Sequence, residues 1–193
     1  YTLRGKRQSR SWALNQTLYF VMRFSQPIAG YVVALDDAEK GALQKAEGRN
    51  VKAVASFDVS SGKPLLVKVG LSAVSADGAM KNLEAEQKGF DFNATLAAAK
   101  KDWNKELSKI QVEGGTKDEQ TIFYTALYHT NINPNVYMDV DGQYRGTDDK
   151  IHTAKGFTNY TVFSLWDTHR AYHPLMTIIN QKKTADWINT FLA

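Results

Sequence analysis

The run Phe163-Ser164-Leu165-Trp166-Asp167-Thr168-His169-Arg170 puts an indole, a carboxylate and a guanidinium within five positions, from Trp166 to Arg170. A carbohydrate site needs that combination. A flat apolar ring covers the C–H face of a sugar, and carboxylates and cations bond its hydroxyls. Trp166, Asp167 and Arg170 are therefore candidate substrate-binding residues. The same residues also suit a plain structural role, a buried Trp with an Asp–Arg pair clamping the start of a helix. Composition and spacing alone weigh towards the structural role.

Other residues invite chemistry less strongly. His169 and His173 stand four apart, so a helix would put both on one face. A zincin carries Glu directly after its first His, and Arg170 stands there instead. Bonding to backbone or carboxylate suits these rings better than metal binding. His129 sits beside an apolar helix face and reads as a satisfied core histidine. Asp139-Val140-Asp141-Gly142 suggests calcium, but an EF-hand loop needs glycine at its sixth position, where Tyr144 stands. A turn is the expected role of Asp141. Asp148-Asp149 reads as a solvated acidic pair. Asn15, Asn93 and Asn159 open glycosylation sequons, which are common by chance.

Composition narrows the classes. Cysteine is absent, which excludes disulfides, thiolate zinc sites and a cysteine nucleophile. No stretch approaches the roughly 18 apolar residues of a membrane span. The net charge is +4 and the pI about 9.1, but the cations are scattered, with Arg4, Lys6, Arg7 and Arg10 the densest group. A nucleic-acid footprint wants a larger cluster with stacking aromatics, so no nucleic-acid partner is expected. The chain opens at Tyr1 without a methionine and closes on an amphipathic pattern through Trp187 and Phe191. Both ends read as cuts through a longer polypeptide.

The elements that must position these residues change character along the chain. Residues 12–24 alternate, with Trp12, Leu14, Leu18, Phe20, Met22 and Phe24 on one face. Residues 51–59 and 65–73 alternate again, with Ser60-Ser61-Gly62-Lys63-Pro64 as the turn between them. Such strands argue an antiparallel sandwich. A short helix is expected over residues 80–86 and a longer one over 91–107, ended by Gly114-Gly115. Thr116 and Glu119 form a capping-box pattern, and Ile122, Phe123, Ala126, Leu127 and Thr130 make one face of the helix that follows. Asp141-Gly142 predicts a two-residue hairpin joining residues 136–140 to 143–145. Pro174 should begin or kink a helix within residues 160–179.

Together these segments carry a resemblance. Phe123-Tyr124-Thr125-Ala126-Leu127-Tyr128-His129-Thr130, Pro134-Asn135-Val136 and Asp139-Val140-Asp141-Gly142-Gln143-Tyr144-Arg145-Gly146 resemble the start of the catalytic domain of glycoside hydrolase family 92. Tyr160-Thr161-Val162-Phe163-Ser164-Leu165-Trp166-Asp167-Thr168, with Arg170 and His173-Pro174-Leu175, resembles its next signature. Gly5, Arg7, Ser9, Trp12 and Tyr19-Phe20-Val21 look like its N-terminal sandwich. The resemblance covers most of the chain and is weakest over residues 36–49.

The resemblance implies an α+β multidomain fragment: sandwich strands over residues 1–76, a helical linker over 77–115, and the first helices of an (α/α)6 barrel over 116–193. It implies an exo-acting, Ca²⁺-dependent, inverting α-mannosidase acting on terminal mannosides of glycans, α-1,2 links foremost. Its home would be the bacterial periplasm, the cell surface or the medium. The general acid, the general base and most calcium ligands are then expected outside residues 1–193. Asp167 matches a position that contacts mannose, with Trp166 and Arg170 as companions. Two other readings stay open: a non-catalytic carbohydrate-binding sandwich, and another sandwich-plus-barrel glycosidase or phosphorylase.

Overall fold

The computed structural model describes residues 2–193. Six strands lead: β1 (Thr2–Ser9), β2 (Gln16–Phe24), β3 (Gly30–Leu35), β4 (Ala38–Glu39), β5 (Val51–Ser56) and β6 (Val67–Ser72). Helices α1 (Ala76–Glu86), α2 (Phe92–Leu107) and α3 (Lys117–His129) follow. After them come β7 (Gln143–Arg145), β8 (Ile151–Thr153), α4 (Leu165–Thr168), α5 (Tyr172–Ile179) and α6 (Gln181–Leu192). The leading strands form two antiparallel sheets, in the orders β1-β2-β6 and β4-β3-β5. This is an α+β architecture, six strands first and then helices interrupted by the short β7–β8 pair.

β2 starts at Gln16, not at residue 12. Its ladder with β1 ends at Ser9 opposite Gln16, and the intervening loop leaves the Trp12 side chain fully exposed. The face that β2 buries is also the unexpected one. Val21, with no exposed surface, packs against Ala79 and Leu83 of α1. Close approach of α1 depends on Gly70, opposite Val21 in β6: a Cβ there would lie 2.2 Å from the Ala79 carbonyl oxygen. The apolar even-numbered face of β2 is matched across the ladder by Val67, Val69 and Leu71, which remain about half exposed. Phe57, just past β5, reaches Phe24 on that side at 4.9 Å between ring centres.

β5 and β6 do not pair across the predicted turn. β5 joins β3, β6 joins β2, and the connection carries the chain from one sheet to the other. Sequence alternation identifies strands but not their partners.

The helices start where their caps dictate. Ser75 Oγ accepts from the Gly78 N–H at 2.9 Å and opens α1 earlier than the predicted residue 80. Asp91 Oδ1 caps α2 at Ala94 N. Thr116 and Glu119 form the reciprocal capping box at α3. On the face expected for α3 only Leu127 is buried, and His129 is exposed rather than core. Pro174 falls in the first turn of α5, where its missing N–H costs nothing.

The predicted Asp141-Gly142 hairpin is replaced by a tight turn. Gly142 N–H donates to the Asp139 carbonyl and Asp139 N–H to the Gln143 carbonyl. β7 then pairs forward with β8, and Val136 bridges to Tyr160. The physical reason lies in Asp139, whose side chain is committed elsewhere.

Candidate functional site

Trp166, Asp167 and Arg170 lie on or just after α4, a single helical turn. All three are exposed, Trp166 to 84%. Among the described residues, Asp167 and Arg170 enter no side-chain hydrogen bond or ion pair. The structural alternative required a buried indole beneath an Asp–Arg clamp, and that arrangement is not present. An exposed ring and carboxylate share one turn instead, with an exposed guanidinium just after it, and among the described residues the two charged groups have no side-chain polar partner.

Below this turn lies a packed aromatic cluster. Phe163, Tyr172 and His173 surround Trp187 of α6, with ring centres 5.5–6.2 Å from its indole. Phe191 meets Phe163 edge-on at 5.0 Å. The Tyr172 hydroxyl donates to the Asn133 carbonyl at 3.0 Å, and burial pushes its pKa up to about 12. Trp187 is buried, and its Nε1–H finds no partner among the described residues. These rings form one packed cluster, joined to α4 through the contact between His173 and Thr168.

The two histidines contact the turn separately. His169 Nδ1 lies 3.0 Å from the Trp166 carbonyl and 3.2 Å from that of Leu165. His173 Nε2 lies 2.9 Å from Thr168 Oγ1. Burial lowers the pKa of His173, favouring the neutral ring.

Asp139 is a junction that sequence reasoning missed. It is 3% exposed and accepts from Ser72 Oγ at 2.7 Å and Asn82 Nδ2 at 2.8 Å. These partners lie 67 and 57 residues away, so no local pattern announces them. The carboxylate lies against the first turn of α1, where a Cβ on Gly78 would stand 2.1 Å from Oδ2. The positive end of a helix favours an anion there. Asp141 instead faces outward and pairs with Lys81 at 2.9 Å. That hydrogen bond holds its carboxyl below the usual range. Asp148 is likewise held low, chiefly by His152 at 2.9 Å. Asn159 of the third sequon is buried and donates to the Tyr137 carbonyl, so it presents no free acceptor nitrogen. A cavity of about 220 Å³ borders the Asp139 junction, and none of Trp166, Asp167 and Arg170 lines it.

Among the described residues, no three acidic or histidine side chains converge to hold an ion, so none is assigned as a ligand. Among the same residues, no helix is long and apolar enough to cross a membrane.

Known proteins share this architecture. The model of the glycosyl hydrolase family 92 N-terminal domain matches residues 1–72, and that of the family's catalytic domain matches residues 78–193. A family 92 α-mannosidase from Bacteroides thetaiotaomicron superposes with a TM-score of 0.90 at 38% identity, covering 100% of this chain and 27% of that one. An inverting family 92 mannosidase from the same species superposes with a TM-score of 0.83 at 28% identity, covering 91% of this chain and 24% of that one. An uncharacterized secreted glycosidase from Arthroderma benhamiae is 37% identical over 87 residues, which is 42% of this chain and 11% of that protein. The chain thus spans about a quarter of the solved relatives. With the N-terminal and catalytic signatures in succession along its residues, the chain belongs to glycosyl hydrolase family 92.

Proposed function

We propose that this chain is part of an exo-acting α-mannosidase that removes terminal α-linked mannose from N-glycan-like substrates, α-1,2 links foremost. The carrying observation is the exposed Trp166-Asp167 pair on one helical turn, within a family whose solved members include α-mannosidases. One of these has been solved with mannoimidazole bound. Inversion rests on the relative described as an inverting mannosidase.

The Asp167 carboxylate accepts hydrogen bonds from hydroxyls of the terminal mannose. The Trp166 indole covers an apolar sugar face, and Arg170 donates to ring substituents. Fixing the sugar on a preorganised turn lowers the entropy cost of reaching the transition state. Bond cleavage needs two further carboxylates flanking the glycosidic bond, one as acid and one as base, with room for a water in an inverting enzyme. In this reading those two residues, and most calcium ligands, are supplied from outside residues 1–193. Secretion to the periplasm, the cell surface or the medium completes the reading and suits an enzyme meeting extracellular glycans.

The test uses the full-length protein with α-linked mannobioses. Release of mannose, with α-1,2 fastest and the rate lost on chelating calcium and restored by adding it, supports the reading. Absence of mannose release from every linkage overturns it.

A further inference from the structure

We infer that His173 and Thr168 are positioning residues, a relay that fixes the turn carrying Trp166 and Asp167 in the orientation the sugar requires. This rests on the proposed sugar site. The geometry defines the proton arrangement. Thr168 Oγ1 carries one hydrogen, and it donates to the Ser164 carbonyl at 3.0 Å. With that bond made, Oγ1 is left as an acceptor 2.9 Å from His173 Nε2, and the relay assigns the ring hydrogen to Nε2.

The relay joins a packed anchor to a short helical turn. His173 is packed by Phe163 at 5.1 Å, Tyr172 at 5.3 Å and Trp187 at 6.1 Å between ring centres. Trp187 is itself buried in α6. The turn is α4, a four-residue helix whose Ser164 N-cap makes no side-chain hydrogen bond. An isolated turn of that length has too few backbone bonds to hold itself. Thr168 Oγ1 closes it by bonding the carbonyl at its N-terminal end, and His173 fixes that hydroxyl from below. Burial favours the uncharged ring, which suits a donor held among aromatic rings. His169 holds the Leu165 and Trp166 carbonyls, but its ring is exposed and lacks that anchor.

The test is a set of variants of the full-length enzyme, assayed on α-1,2-mannobiose with thermal unfolding measured in parallel. Thr168→Val removes the hydroxyl at constant shape and should lower kcat/KM about five- to tenfold, the effect of one lost hydrogen bond. Thr168→Ser keeps the hydroxyl and should keep most of the activity. His173→Gln retains an N–H near the ε position and should outperform His173→Asn, which does not. The double variant Thr168→Val/His173→Asn should be no slower than the worse single variant, because both break the same link. Unchanged kcat/KM in Thr168→Val, or losses that multiply in the double variant, overturns the relay. Asp167→Asn separates the two readings. A loss there with Thr168→Val unaffected removes the relay alone, whereas no loss there removes the sugar site and the relay together.

Discussion

The side-chain amide of Asn82 grips two consecutive residues of one loop: Nδ2 donates to Asp139 Oδ1 and Oδ1 accepts from the Val140 N–H, both at 2.8 Å. Ser72 Oγ completes the junction on Asp139 Oδ2. A single buried carboxylate thereby joins β6, α1 and the loop leading to β7. It lies where the N-terminal and catalytic domain signatures meet. In Asp139→Asn the new amide must turn its NH₂ towards Asn82 Nδ2 or Ser72 Oγ, two groups that already donate. Losing one hydrogen bond to a charged acceptor costs about 2 kcal/mol. The full-length variant should therefore unfold at a lower temperature, and an unchanged midpoint would show that the junction holds nothing.

Two glycines test the same packing. Gly78→Ala would drive a methyl to 2.1 Å from Asp139 Oδ2 and 2.9 Å from Ser72 Oγ. Gly70→Ala would meet the Ala79 carbonyl oxygen at 2.2 Å and Leu83 Cβ at 2.7 Å. Each should destabilise by about 1–3 kcal/mol. Gly70→Ala should be the worse, because helix backbone yields less easily than a side chain. Chemical denaturation of the two variants against the parent gives the ranking, and the reverse order would contradict this packing.

Acid should loosen the link between α2 and α6. Glu106 Oε2 accepts from Lys109 at 2.8 Å and from Lys183 at 3.0 Å. Burial alone would raise the Glu106 pKa, but the two lysine hydrogen bonds outweigh it and hold the carboxyl below its ordinary 4.5. A depressed folded pKa means that the unfolded chain binds its proton first as pH falls. The stabilisation is therefore complete above about pH 4.5 and is lost as pH drops through the folded value. Glu106→Gln should flatten the unfolding midpoint in this acid range. An identical pH profile for both proteins would remove the link.

Local chemistry made much of the fold legible. The Thr116–Glu119 box, the Asp91 start of α2 and Pro174 in the first turn of α5 are short-range features whose partners lie within a few residues. What stayed hidden depends on distant residues. Alternation located β2, but the face it buries is set by α1 arriving over Val21 and Gly70. The partners of β5 and β6 were hidden for the same reason, since pairing is long-range. At the site, Trp166, Asp167 and Arg170 drew notice through their residue types. All three are exposed in the folded chain, a property that residue types alone do not give. The His173–Thr168 contact spans only five residues, yet it depends on how the chain turns between α4 and α5, which Pro174 places but does not orient.

The most direct measurement is the activity of Asp167→Asn and Asp167→Ala in the full-length enzyme on α-1,2-mannobiose, with unfolding temperature measured beside it. A carboxylate bonding hydroxyls of the reacting sugar should matter most as the ring distorts towards the transition state. Asp167→Ala should then lose at least about tenfold in kcat/KM with little change in unfolding temperature, since no described residue gives Asp167 a side-chain hydrogen bond to lose. Full kcat/KM in Asp167→Asn, or a fall in unfolding temperature with normal activity, would contradict the sugar-binding role.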